Sequence, residues 1–486
     1  MIKKIFKTSL LNLLMSILGL LLMFIMIAFI TNMVGASEYG KYKQILAFIR
    51  LFVFLNLLGL DVGLLKFTRE AIIEKNETDI YNIEMGTKLI VIIFNIFLLI
   101  LLYVFKDFII IKVFNSKISV KDYLISFPII FFNAYYLLYS SLLRSYSKIR
   151  EDVFIRSILL RVFKIIIFFI FIKFNFKSDG LIYGTFISFI LLIIVSKYTL
   201  NLKIKRKSIG KFNYKVLKKM LHYSSPLMFN SFIILIASRL DILMIGYFLN
   251  TEKVAIYEIS FVISNLVLFP FMAFSNVIEL KIVDYFKKNK INELKQLYFD
   301  IVRGVTYLSL MIFFILLYLG KDILLIFGPS FISGYTTLII LAIGQLINTS
   351  LGFVYEINRM TGYPKYNLYS SIIVLLINTI FNFIFIPKFG VIGAALTTST
   401  SLILGNIYNY YFVKKIHNIT PFNKKTLKLL VFILLNLSML YVYTKNFEVN
   451  NAILFILLKC SLFGIYFIML IFILEKDLRK IIIRRK

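Results

Sequence analysis

Apolar residues run along this chain in fourteen long blocks separated by short polar breaks. The blocks cover 10–30, 45–65, 89–105, 123–143, 153–174 and 181–200, then 226–249, 254–280, 305–327, 336–355, 369–387, 391–413, 427–443 and 452–474. A helix needs roughly 20 apolar residues to cross the hydrocarbon of a bilayer, and each block is of that order. None alternates polar and apolar residues as a transmembrane strand does. Inside lipid each backbone N–H and C=O must be satisfied within its own segment, which leaves helices. The pattern predicts an all-α polytopic membrane protein with about 14 transmembrane helices.

The polar breaks repeat. Ser37-Glu38-Tyr39-Gly40-Lys41-Tyr42 follows the first block, and Glu252-Lys253-Val254-Ala255-Ile256-Tyr257 follows the seventh, 215 residues later. Gly180-Leu181-Ile182-Tyr183-Gly184 opens the sixth block and Gly390-Val391-Ile392-Gly393-Ala394 the twelfth, 210 residues later. Two matches at nearly one offset divide the chain into a six-helix lobe over 1–206, a second over 207–415, and a terminal pair with a basic tail over 416–486. Six is even, so both copies enter the membrane from the same side and are expected to be related by a pseudo-two-fold along the membrane normal.

Composition agrees with the pattern: 60% of the 486 residues are hydrophobic. A net charge of +32 in a soluble chain would suggest nucleic acid, but its placement argues otherwise. With span-end residues counted in the adjoining loop, 39 of the 56 Lys and Arg fall on one set of alternate connections and 12 on the other. The excess orients both termini toward the cytoplasm. It also explains the basic charge through attraction to anionic lipid head groups, with no nucleic-acid partner. The first block is too long for a secretory signal core and reads as an uncleaved span. Cys460 is the single cysteine, and His222 and His417 fall in inner loops, so no disulfide framework, metal site or nucleophile–base pair is expected. The chain reads as a transporter and not an enzyme, with no cofactor.

A resemblance points the same way. Val34-Gly35-Ala36-Ser37-Glu38-Tyr39-Gly40-Lys41-Tyr42 followed by Leu58-Gly59-Leu60-Asp61-Val62-Gly63-Leu64 resembles the opening signature of the polysaccharide-biosynthesis (Wzx-type) flippases. These belong to the multidrug/oligosaccharidyl-lipid/polysaccharide exporter superfamily. Tyr223-Ser224-Ser225-Pro226-Leu227, 241–247, 254–257 and 387–395 resemble later parts of it in order. The resemblance implies two six-helix lobes around a V-shaped cavity. It also implies export of undecaprenyl-diphosphate-linked O-antigen or capsule repeat units to the outer leaflet of the bacterial cytoplasmic (inner) membrane. Polysaccharide polymerase and chain-length machinery are the partners it suggests.

Such a cargo, an anionic head carried through a medium that excludes it, needs fixed positive charge. A charge inside a span costs about 2.5–3.5 kcal/mol on insertion scales, so each one retained is a functional candidate. Arg50, Arg161, Lys164, Arg239, Asp241 and Lys459 are the conspicuous ones. Arg239 lies about 20 Å along its helix from Pro226, deep in the membrane. Asp241 is about 200° around the helix from it, so only one of the two faces the cavity. Arg161 and Lys164 are three apart and share a face suited to one diphosphate. Snorkelling is the rival reading for Arg50 and Lys459. The expected substrate-binding set is Arg239, Arg50, Arg161 and Lys164.

Asp61, Asp241, Glu279 and Glu356 are candidates for coupling to H⁺ or Na⁺. The alternative for three of them is pairing with loop cations such as Lys66, Lys281 or Arg359. Asn230, Asn265, Asn276, Gln345 and Asn348 read equally as cavity lining or as helix-to-helix glue, and Asn378 with Asn382 as glue. Two rivals share the architecture: a lipid II flippase, which needs the same cationic cavity, and a multidrug exporter, which would favour acidic cavity residues. A glycan polymerase would present a large outer loop, and none of the outer connections exceeds about 20 residues.

Overall fold

The computed structural model describes residues 2–201, 214–421, 429, 431–436, 459, 461–467 and 469–470. Every regular element among them is helical. The basic stretch around Lys205, Cys460 and the boundary expected at 206/207 lie outside the described residues, as do most of the last two spans.

The first two spans form one long element, α1 (Ile2–Leu57), bent at Gly35, whose φ of 82° and ψ of 167° suit only glycine. Leu58 and Gly59, both at positive φ, turn the chain into α2 (Leu60–Ile73). The third span is α3 (Glu77–Val104), capped by the Asn76 side chain on the Asp79 N–H. Two short helices follow, α4 (Lys106–Lys112) and α5 (Val120–Ile125), the second capped by Ser119. Pro128 restarts the fourth span as α6 (Phe127–Ser145). The fifth is divided into α7 (Ile149–Phe154), a π-helical turn at Ile155–Leu159, and α8 (Leu160–Lys173). The sixth and seventh are α9 (Ser178–Asn201) and α10 (Tyr214–Phe248).

The eighth span is α11 (Thr251–Ser264), a 3-10 turn at Asn265–Leu268, and α12 (Phe269–Lys287). Then come α13 (Ile291–Leu325), α14 (Tyr335–Leu351), the short α15 (Val354–Met360) and α16 (Pro364–His417). The last holds the eleventh and twelfth spans and is bent at Gly390, φ 60°. Eight described segments are long and apolar enough to cross a membrane. Two of them, Leu14–Ile73 and Pro364–His417, each contain two of the expected spans. The structure is thus the all-α membrane fold expected.

The chain divides into two compact units, Met1–Ala255 and Ile256–Lys486. In the first, α6 packs against α1, α2, α3 and α9, and α10 packs against α1, α2 and α3. Glycines set these approaches. A Cβ on Gly59 or Gly63 would run into Ser224 or Met220 of α10, and one on Gly86 into Leu217. In the second, α14 packs against α13 and α16, and α15 against α12 and α16. Its core gathers Ile278, Leu294, Tyr298, Val302, Phe353 and Val413.

Both units carry one shared detail. In the first, Tyr42 meets Thr185 at 2.7 Å, and Thr185 Oγ1 donates to the Leu181 carbonyl. In the second, Tyr257 meets Thr398 at 2.8 Å, and Thr398 Oγ1 donates to the Ala394 carbonyl. A threonine hydroxyl has one hydrogen, already given to the helix, so the tyrosine donates in both. Tyr257 is 215 residues after Tyr42, and Thr398 is 213 after Thr185.

Candidate functional site

The first unit brings four cations into one neighbourhood. Lys43 and Arg50, seven apart, share a face of α1, and α1 packs against the π-helical turn and α8, which carries Arg161 and Lys164. The charges acting most strongly on Lys164 are those of Arg50, Lys43 and Arg161, all of its own sign. Its ammonium lies 5.7 Å from the centre of the Phe189 ring, and Phe189 packs on Tyr136 at 5.9 Å. The π-helical turn skips the ordinary hydrogen-bond register, and the Arg156 carbonyl there accepts from Arg161 Nη1. Gly19 of α1 allows that turn to pack closely, since a Cβ would meet the Ser157 backbone.

Arg50, Arg161 and Lys164 are therefore neighbours. Arg239 lies on α10, half-buried and engaged with its own surroundings, and is not among the charges that dominate at Lys164. Asp241, two residues on, is buried. Lys43 is the residue that sequence reasoning missed. It falls in a polar stretch read as a loop, though its seven-residue spacing from Arg50 was a usable signal. Lys459 faces Asp322 at 3.7 Å, a structural pairing within the second unit.

The carboxylates separate into different roles. Asp61 sits in the first turn of α2, half-buried, while Lys66 faces Glu70 at 4.0 Å. Glu279 of α12 accepts from Arg359 Nη2 at 2.6 Å. Arg359 is thus committed to Glu279. Glu356 of α15 is only 8% exposed, and its Oε2 has no hydrogen-bond partner. Burial, and then the nearby negative charge of Glu279, push Glu356 up from the usual carboxylate range to about 7. Among the described residues no three His, Cys, Asp or Glu side chains converge as metal ligands would.

The polar residues with two readings act as glue where they are described. Gln345 donates to Asn265 at 2.9 Å, Asn348 to Gln345 at 3.3 Å and Asn406 to Asn348 at 3.0 Å, a chain linking the 3-10 turn, α14 and α16. Asn382 donates to Asn378 at 2.9 Å, both buried. The side chains of Asn230 and Asn276 lie outside the described residues. His417 is buried and meets Thr361 at 3.0 Å, rather than sitting in solvent.

Two further cations were not anticipated. Arg303 of α13 is buried, 3.7 Å from Asp300. Lys117 holds the end of α10, donating to the Gly246, Tyr247 and Leu249 carbonyls at 2.5–3.0 Å. It serves the carbonyls that a helix C-terminus leaves unpaired.

Residues 5–278 match the family described as polysaccharide biosynthesis protein. The chain belongs to that family, within the multidrug/oligosaccharidyl-lipid/polysaccharide exporter superfamily. Residues 226–384 also match the MatE family. Among its relatives is the "Probable flippase AglR" of Haloferax volcanii, 29% identical over 246 residues, which are 47% of this chain and 48% of the relative. Another is the "Capsular polysaccharide biosynthesis protein CapF" of Staphylococcus aureus, 39% identical over 101 residues, 21% of this chain and 26% of the relative. The chain thus spans about half the length of AglR and less of CapF.

Two solved structures share its fold. One is the lipid II flippase MurJ in an inward closed conformation, with TM-score 0.74 and 21% identity over 97% of this chain and 99% of that one. The other is an inward-facing multidrug resistance MATE family transporter, with TM-score 0.69 and 13% identity over 84% and 98%. The reading as a transporter and not an enzyme stands with these relatives.

Proposed function

We propose that this protein is a flippase. Its cargo is an undecaprenyl-diphosphate-linked oligosaccharide repeat unit, an O-antigen or capsule precursor, moved from the cytoplasmic to the outer leaflet by alternating access. The observation that carries this reading is the grouping of Lys43, Arg50, Arg161 and Lys164 in the first unit. Like charges brought close together repel one another, and an anion bound among them relieves that repulsion. A diphosphate supplies two negative charges and a fan of acceptor oxygens suited to guanidinium forks. Arg239 on α10 is assigned to the same cargo at a different point of its path.

The protein spans the bacterial cytoplasmic membrane many times with both termini in the cytoplasm, a reading supported by the threefold excess of basic residues on one set of loops. An inside-negative potential favours export. Each negative charge moved out across 100 mV gains about 2.3 kcal/mol, so a diphosphate gains on the order of 4–5 kcal/mol if the protein's own charges stay in place. Polysaccharide polymerase and chain-length machinery are the partners proposed downstream.

A lipid II flippase would use the same diphosphate chemistry, and the fold likeness to MurJ keeps that reading beside the first. Proteoliposomes loaded with undecaprenyl-diphosphate-linked repeat unit or with lipid II separate the two. The parent is expected to prefer the repeat unit. Changing Arg50, Arg161 and Lys164 together to glutamine is expected to cut flipping at least about a hundredfold, since a hydrogen bond to a charged group is worth about 1.5–3 kcal/mol. An unchanged rate in that triple variant would refute the cationic site, and preference for lipid II would overturn the choice of cargo.

A further inference from the structure

The second unit holds a buried acid whose surroundings do not suit its charge. Glu356 projects from α15, a helix of seven residues packed between α12 and α16. It is more than nine-tenths buried, and its Oε2 is sealed from solvent with no hydrogen-bond partner. The apolar walls come from Phe353, Val354, Ile357 and their neighbours. The charged and titratable groups acting there are few. Glu279 comes from α12, Arg359 and Tyr355 from α15 itself, Tyr298 from α13 and Tyr410 from α16. Tyr298 cannot help, because its hydroxyl donates to the Leu351 carbonyl.

Arg359 is the one cation among these groups, and it is shared in an informative way. It lies three residues after Glu356, on the same face of the helix. Its Nη2 nevertheless bonds Glu279, at 2.6 Å. Two carboxylates thus compete for one guanidinium, and Glu279 holds it here. Left ionised, Glu356 would be a buried charge favoured by its own backbone N–H and the nearby charge of Arg359, but with Oε2 unbonded and the guanidinium bonded to Glu279. A metal ion would need several converging oxygens, and no group of three acidic, His or Cys ligands is present among the described residues. A single proton is enough to neutralise the acid.

We propose that Glu356 is the proton-binding site of the transport cycle, and that transfer of Arg359 between Glu279 and Glu356 decides when the proton is held. With Arg359 on Glu279, the Glu356 carboxylate takes one proton and stays neutral. When Arg359 moves to Glu356, the proton leaves to water and the new ion pair replaces it, while Glu279 turns to solvent. The proposal deepens the flippase reading and rests on it for the word transport, while the proton site itself does not.

The test is made on the full-length protein with Glu356→Gln and Glu279→Gln. Infrared difference spectra report the carboxylic-acid C=O stretch directly. The parent is expected to show an acid band that disappears as the pH is raised through neutrality. That band should be absent in Glu356→Gln. In Glu279→Gln it should titrate at lower pH, because Arg359 is released to Glu356. In proteoliposomes, a gradient of one pH unit should shift the steady-state distribution of repeat unit across the leaflets about tenfold in the parent if one proton is exchanged per cycle. The shift should vanish in Glu356→Gln. Identical infrared spectra of parent and Glu356→Gln between about pH 5 and 8 would overturn the proton site, and an indifferent parent would overturn its coupling. A band that titrates as expected while no glycolipid moves would uphold the site and sink the flippase reading.

Discussion

Glu356 makes a statement about stability as well as transport. The unfolded chain releases this proton in the ordinary carboxylate range, whereas the folded protein holds it up to about pH 7. Folding therefore binds a proton between those values, and stability falls across that window as the pH rises. Glu356→Gln removes the dependence. At about pH 8 the variant is expected to melt above the parent, by an amount on the order of 3 kcal/mol at most, and at about pH 4 to melt with it. A variant that melts lower than the parent at high pH would show Glu356 ionised and satisfied in the fold. The sequence marked Glu356 as a candidate for ion coupling and offered Arg359 as its partner. It could not show that Glu279, 80 residues away on α12, wins that guanidinium. Lys117 was hidden for the same reason, since its carbonyl partners lie 129 to 132 residues further along.

At the scale of elements, the apolar blocks were legible because lipid leaves few alternatives to a helix, and the breaks between them were harder. Residues 31–44 read as a polar loop between the first two spans. They are helical except at Gly35, and their polar side chains reach other elements: Ser37 meets Thr251 at 3.1 Å, Lys41 pairs with Asp122, and Tyr42 meets Thr185. Local polarity cannot distinguish a loop from a helix whose polar groups are satisfied by distant partners. The bend that separates the two spans is a single residue, Gly35. A Cβ there would touch nothing within 4 Å, so the demand for glycine is conformational alone. Gly35→Ala is expected to destabilise the protein by about 1–3 kcal/mol, or to straighten α1, because an L-residue is strained at that φ and ψ. Calorimetry of the purified variant checks the first outcome and cross-linking along α1 the second. An unchanged melting temperature with an unchanged bend would contradict the argument.

Over the whole molecule the internal repeat is the clearest claim that the sequence made, and it can be tested by chemistry instead of alignment. The Tyr–Thr–carbonyl relay is present in both units at offsets of 215 and 213 residues, and the two relays have no partner in common. In each, removal of the tyrosine hydroxyl leaves the threonine bonded to its helix, and the interhelical tyrosine–threonine hydrogen bond is lost. Such bonds in membrane proteins average about 0.6 kcal/mol and reach about 1.7. Tyr42→Phe and Tyr257→Phe are each expected to destabilise within that range and by similar amounts. Because the two relays are independent, the double variant should lose the sum to within about 0.5 kcal/mol. Unfolding measurements on the parent, both single variants and the double variant close the cycle. A strong departure from additivity would mean that the two relays are energetically coupled, and unequal single losses would mean that the relay has drifted from a common role in the two copies.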